Sequence, residues 1–250
     1  MRTQALAALG VAAYAVFICA TMPATFIAAR ARAAAPGKVD LSEARGSLWS
    51  GSARARIAAP GGHLIFDRVE WRLAPARLMA GRIAFDLRAM GHGLEGRGQL
   101  GRSITRWELH DLAATGEAEL LVPLAPIVAT WRPEGTLAIS SPALDWNDDD
   151  ARGNLRAEWR EAAVSLSEVR PLGTYRLDAH AEGAPAKLTL TTLDGPLRIT
   201  GQGSFTPPSR LTLSGEARGE GATAKALEPL LDLLGPRRPD GARAVEIRMN

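Results

Sequence analysis

Leu188-Thr189-Leu190-Thr191 alternates apolar and polar side chains, Asp194-Gly195-Pro196 breaks the run soon after, and Leu197-Arg198-Ile199-Thr200 resumes it. Period two is the mark of a strand that buries one face, and a turn this short joins antiparallel neighbours. The same phrase recurs along the chain. Leu211-Thr212-Leu213-Ser214 and Val245-Glu246-Ile247-Arg248 alternate likewise, as do residues 83–88, 136–139, 155–159 and 176–181. Turn signals fall between such runs: Pro60-Gly61-Gly62, residues 91–93, Pro133-Glu134-Gly135 and Pro207-Pro208. A strand every 10–15 residues or so leaves room for hairpins and none for β-α-β crossovers. The expected fold is therefore all-β: a curved antiparallel sheet, or a two-sheet sandwich, of roughly a dozen strands.

Helix is expected in two short places. Ala226, Leu227, Leu230, Leu231 and Leu234 make one apolar stripe within residues 222–234, stopped by Gly235-Pro236, with Pro229 either starting or kinking it. A second turn of helix fits residues 124–130. Gly 25 and Pro 16 in 250 residues argue against long helical bundles. The 46% apolar content is ample for a core. A single cysteine, Cys19, excludes an internal disulfide and any cysteine-cluster zinc site.

The apolar content is uneven. Residues 5–29 carry no charge and include Leu6, Leu9, Val11, Val16, Phe17, Ile18, Phe26 and Ile27. At about 1.5 Å per residue a helix of this length covers a hydrocarbon core of about 30 Å. The run exceeds the h-region of a cleaved signal peptide, and Arg30 and Arg32 separate it from the small residues Ala33 and Ala35. The expected organisation is a short N-terminus (1–4), a membrane anchor (5–29), a linker (30–40) and a β-rich domain (41–250). That domain has two loosely similar halves, about 41–122 and 134–250, which carry Trp71 and Trp159 in comparable places.

Motifs for chemistry are weak. Residues 91–96 and 96–101 spell GxGxxG, but neither string opens a helix after a strand, the setting that binds a pyrophosphate. Residues 145–150 begin like a calcium loop, yet Asp150 stands where glycine is required and Arg156 where the bidentate glutamate belongs. His63, His92, His110 and His180 share no ligand spacing. No catalytic, cofactor-binding or metal-binding residue is assigned. Net charge is +3, with 27 Arg interspersed among 27 acids, so no basic patch points to nucleic acid. The six tryptophans are expected in a core or cleft.

Gly46-Ser47-Leu48-Trp49-Ser50-Gly51, just behind the apolar run, resembles the opening of bacterial type II secretion system protein N. Trp71, Leu73, Pro75, Leu78 and Gly81 follow in order, and Pro171-Leu172-Gly173-Thr174-Tyr175 with Gly195 resemble that family's second half. The resemblance implies a bitopic inner-membrane protein whose β-domain lies in the periplasm, a non-enzymatic accessory part of the secretion machine. Its implied partners are the outer-membrane pore subunit and inner-membrane assembly proteins. Arg30 and Arg32 depart from that orientation by the positive-inside rule. A membrane-anchored β-groove that handles lipid is the alternative reading.

Overall fold

All the alternating segments named above are strands, and all of them belong to one sheet. The computed structural model describes residues 14, 17, 21–74, 82–91, 93–103, 105–147, 149–206 and 210–249. Its strands are β1 (Val39–Gly46), β2 (Ser50–Ala59), β3 (Gly62–Leu73), β4 (Ile83–Gly91), β5 (Leu94–Arg102), β6 (Trp107–Glu117) and β7 (Glu134–Trp146). They continue as β8 (Ala151–Ala163), β9 (Gly173–Glu182), β10 (Ala186–Asp194), β11 (Leu197–Thr206), β12 (Arg210–Gly219) and β13 (Arg243–Met249). The 13 strands stand in sequence order, each antiparallel to the next, in a sheet that stays open between β1 and β13. Of the two architectures the alternation allowed, the single sheet is the one observed.

Register explains why the alternation was needed. Side chains directly opposite one another share a face. Following the pairs across the sheet gives one unbroken row: Ala53, Val69, Ala89, Gly96, Ala114, Ile139, Ala157, Leu177, Leu190, Gly201, Gly215 and Val245. Every member is apolar or glycine. The adjacent row, on the other face, runs Arg45, Ser52, Glu70, Arg88, Arg97, Ala113, Ser140, Arg156, Asp178, Thr189, Gln202, Ser214 and Glu246. The sheet thus has an apolar and a polar face along its whole width. Irregular register in β1, β6 and β8 coincides with Glu43, Asp111 and Glu161 at φ of 53°, 50° and 49°. Such bulges bend a strand and increase its twist.

Helices cover the apolar face at its two ends. Helix α1 (Ala24–Ala34) buries Ala24 and Ala28. Ala24 packs with Ala53 and Trp71, and Ile27, Leu41, Phe85 and Leu87 close around them. At the far end a 3₁₀ segment (Gly221–Leu227) leads into helix α3 (Glu228–Leu234). Leu227, Leu230 and Leu231 pack there on Val164, Leu172, Leu197 and Ala217. Pro229 occupies the first turn of α3, where no backbone N–H is needed, so it starts the helix rather than kinking it. Between β6 and β7 the expected helical turn begins a little earlier than residue 124: Ala118–Leu120 is 3₁₀, helix α2 is Leu121–Leu124, and Pro126–Trp131 is 3₁₀ again.

Of the anchor residues, Leu6, Leu9, Val11, Val16 and Ile18 lie outside the described residues. Phe17 is helical and exposed, Phe26 is an exposed residue of α1, and Ile27 faces the Trp71 cluster. No helix among the described residues is long and apolar enough to cross a membrane.

The β10–β11 turn shows how tightly the strands are joined. Gly195 has φ +116°, and a Cβ there would lie 2.2 Å from the Cα of Gly173. Gly183, in the preceding turn, has a similar φ of +110° with nothing within 4 Å. Gly195→Ala should therefore lower stability by at least about 2 kcal/mol, backbone strain and collision combined. Gly183→Ala should cost only the strain, about 1 kcal/mol. Urea denaturation midpoints of the two variants test this, and equal losses would refute the collision.

Candidate functional site

The motif residues gather into two structural constellations. In the first, the β1–β2 turn is held by Ser47, whose Oγ accepts the Trp49 and Ser50 N–H groups, each at 3.2 Å. The Trp71 indole N–H donates to the Ser47 carbonyl at 3.2 Å. Gly51 lies under that ring, with room for nothing more: a Cβ would be 2.6 Å from it. The Leu73 N–H donates to the Trp49 carbonyl at 2.6 Å, and the Leu48 N–H to the Met22 carbonyl at 2.8 Å. Gly46, at φ +89°, closes against Ser50. Pro75, Leu78 and Gly81 lie outside the described residues.

In the second constellation, the Leu172 N–H donates to the Ala162 carbonyl at 2.7 Å and the Leu172 carbonyl accepts the Leu197 N–H at 3.0 Å. Tyr175 Oη donates to the Leu197 carbonyl at 3.0 Å, and burial pushes this phenol's pKa well up. Gly173 and Gly195 make the close backbone approach already described, while Pro171 is exposed. Six strand spacings, roughly 29 Å along the sheet, separate β3 from β9, so the motif residues do not converge on one site. The constellations share a device. Trp159 donates its indole N–H to the Glu134 carbonyl at 2.9 Å, as Trp71 does to Ser47. Glu134 is the first residue of β7, the strand that pairs with Trp159's own, and Ser47 lies in the turn that leads into β2, the strand that pairs with Trp71's own.

The polar face carries the charge. Glu158 accepts from Arg160 at 2.7 Å and from Arg176 at 2.9 Å. These hydrogen bonds, Arg160 first and Arg176 second, hold its carboxyl below the usual carboxylate range. Arg156 faces Asp178 across the strand pair at 2.8 Å, and that hydrogen bond holds its guanidinium pKa above the usual value. Arg88 and Arg97 stand directly opposite each other, a like-charge pair that costs stability. Together with Glu70, Glu95, Arg156 and Glu158 they line an open depression of about 640 Å³ spanning β3 to β8. Sequence reading missed this grouping. Its signal was Arg156, Glu158 and Arg160 at spacing two, charges of alternating sign on one face of a strand.

Chemistry-bearing residues stay dispersed. Among the described residues no three His, Cys, Asp or Glu side chains gather at metal-binding distance. In the acidic turn after β7, Asp150 pairs with Arg106 at 2.6 Å and with Arg152 at 3.6 Å. His180 pairs with Asn154 and Glu182, His110 lies near Glu108, and His92 is outside the described residues. The GxGxxG strings form the β4–β5 hairpin and strand β5. Trp71 is buried as expected, but Trp107 is 37% exposed. It stacks on Trp146 with centroids 6.4 Å apart, and Arg102 lies 4.7 Å over its ring, at the end of a strand pair rather than in a core.

The sheet's first edge is covered. Helix α1 lies along β1, Arg32 bonds Asp40 at 2.7 Å and the Leu41 carbonyl at 2.9 Å, and Pro23 bridges to Ser47.

Glu158 permits a test of the polar face. A carboxylate whose folded pKa is depressed stabilises above its unfolded value, and that contribution is lost as pH falls through the folded value. Glu158→Gln should lower stability at neutral pH by roughly 0.5–1 kcal/mol, solvent screening keeping it small. The gap from the parent should narrow once pH drops below about 4. Denaturation midpoints across pH measure it, and a gap that stays constant with pH would contradict the assignment.

No curated protein and no solved structure matches the chain. A family model described as Type II secretion system (T2SS), protein N matches residues 37–246, which takes in all thirteen strands as far as Glu246 of β13. With most of the chain matched, and with the ordered motifs seated in its turns, the protein belongs to the type II secretion system protein N family.

Proposed function

We propose that this chain is an inner-membrane-anchored docking or assembly module of the type II secretion machinery, its β-domain in the periplasm. Family membership supports an accessory role in protein transport. The observation that carries the docking role is the architecture: one open sheet with a continuous polar face, ending in a strand edge. Exposed edges and extended faces bind protein segments, by strand addition or by charge complementarity. The uncharged run at residues 5–29 supports the anchor, and the family supports its direction, with residues 1–4 cytoplasmic. The motif residues from Gly46 to Trp71 and from Pro171 to Gly195 serve this module structurally, by locking its turns.

The lipid-handling alternative draws on an apolar cavity beneath α3, lined by Trp131, Trp159, Leu172, Tyr175 and Leu230 among others. Its volume is about 200 Å³. Sites for small ligands are commonly about 300–1,000 Å³, and the tryptophans and leucines here fill their own groove. Docking is the better-supported role.

Tagged full-length protein, solubilised from membranes in mild detergent, should recover the outer-membrane pore subunit or the inner-membrane assembly proteins. Recovery of no secretion component would refute the docking role. A reporter fused after residue 250 should be active in the periplasm, and cytoplasmic activity would refute the placement.

A further inference from the structure

The two edges of the sheet differ. Helix α1 and Arg32 occupy the outer side of β1. On the outer side of β13, only the N-terminal end is occupied among the described residues. The Ala244 N–H donates to the Pro236 carbonyl at 3.1 Å, and the Ala242 carbonyl accepts the Arg238 N–H at 2.7 Å. Outward backbone groups thus fall on even-numbered residues, and in an antiparallel ladder they recur at every second residue. Glu246 and Arg248 therefore turn their N–H and C=O groups away from β12. Among the described residues no strand lies beyond them.

The side chains of this edge are self-complementary. On the polar face stand Glu246 and Arg248, both well exposed and 3.2 Å apart. On the apolar face stand Val245 and Ile247, with Ile247 42% exposed. Turning a second β13 antiparallel about a two-fold axis at Ile247 pairs residue 246 with 248 of the other copy, twice. Each Glu246 then faces an Arg248 and Ile247 faces Ile247. The outward N–H and C=O groups of Glu246 and Arg248 form two hydrogen-bonded pairs flanking the axis. Alternating charge at spacing two is what such a pairing requires, since like charges at 246 and 248 would repel across it.

We propose that the protein pairs with a second copy of itself through β13, antiparallel about Ile247, so that two sheets become one. This does not depend on the secretion role, because it is read on the purified chain alone.

Sedimentation of the purified full chain in detergent, across micromolar concentrations, should show a dimer. Glu246→Arg and Arg248→Glu each place like charges in both facing pairs, and each should weaken dimerisation on the order of ten-fold or more. An equimolar mixture of the two variants restores opposite charges at both pairs and should recover the dimer as a heterodimer. With Cys19→Ala in place, Ile247→Cys should cross-link to itself under mild oxidation, because Cα atoms in a non-hydrogen-bonded pair are about 4.5 Å apart. A parent that stays monomeric overturns the proposal. So does a dimer indifferent to both charge variants, or a mixture that does not recover. A monomer whose capture of another secretion component is lost on Arg248→Pro would also overturn it, assigning the edge to that component's strand.

Discussion

Register is the constraint on which this structure depends. Each strand is placed by the neighbour before it, and among the described residues no second sheet lies opposite to correct an error. A slip of one residue at any pairing would turn all later apolar side chains to the polar face. The row from Ala53 to Val245 crosses twelve strands without such a slip, although several pairings carry irregularities. The turns provide the fixing points. Trp71 reaching Ser47, Trp159 reaching Glu134 and Tyr175 reaching Leu197 each tie a side chain in mid-sheet to a backbone carbonyl at a strand end. A shifted strand would lose its bond as well as its contacts.

An open sheet must also manage the apolar face that it does not cover. Helices α1 and α3 shield the two ends, where the bulky Trp71 and Leu197 lie. Between them the row thins to Ala89, Gly96 and Ala114, side chains too small to offer much apolar area to water, before Ile139, 38% exposed, restores bulk. The polar face follows the opposite policy. It is dense with arginine, and in its central part Arg156 is answered by Asp178 and Arg176 by Glu158 on the neighbouring strand, and Arg160 by Glu158 on its own.

The strand pattern was most legible where the polar and apolar partners differ most. Strands β10 to β13 each hold a stretch in which leucine, isoleucine or valine alternates with threonine, serine or charge, and reading it needs only period two. Strand β2 is harder, because its buried residues are Ala53 and Ala55 and the contrast rests on Arg54 and Arg56. In β5 the residues between the charges are Gly96 and Gly98, which carry no hydropathy signal. Alternation tells which face is apolar but not what lies on it, so one sheet and two could not be told apart. The motif residues were legible as turn chemistry. The charge grouping around Glu158 was not, since Arg176 reaches it only through the pairing of β8 with β9. Trp107 defeated the expectation of burial because stacking on Trp146 beneath Arg102 gives its ring partners at the margin of the sheet.

Strict neighbour-to-neighbour connectivity also bears on how the protein acquires its structure. Most sheet proteins hold early strands in waiting until a distant partner has been made, and meanwhile expose unpaired edges. Here no strand waits, for each finds its mate within the next hairpin. Helix α1 caps β1 from the N-terminal side, so the first edge is sealed by residues that emerge before it. Such a chain can build itself vectorially, strand upon strand in sequence order, with a single growing edge at any moment.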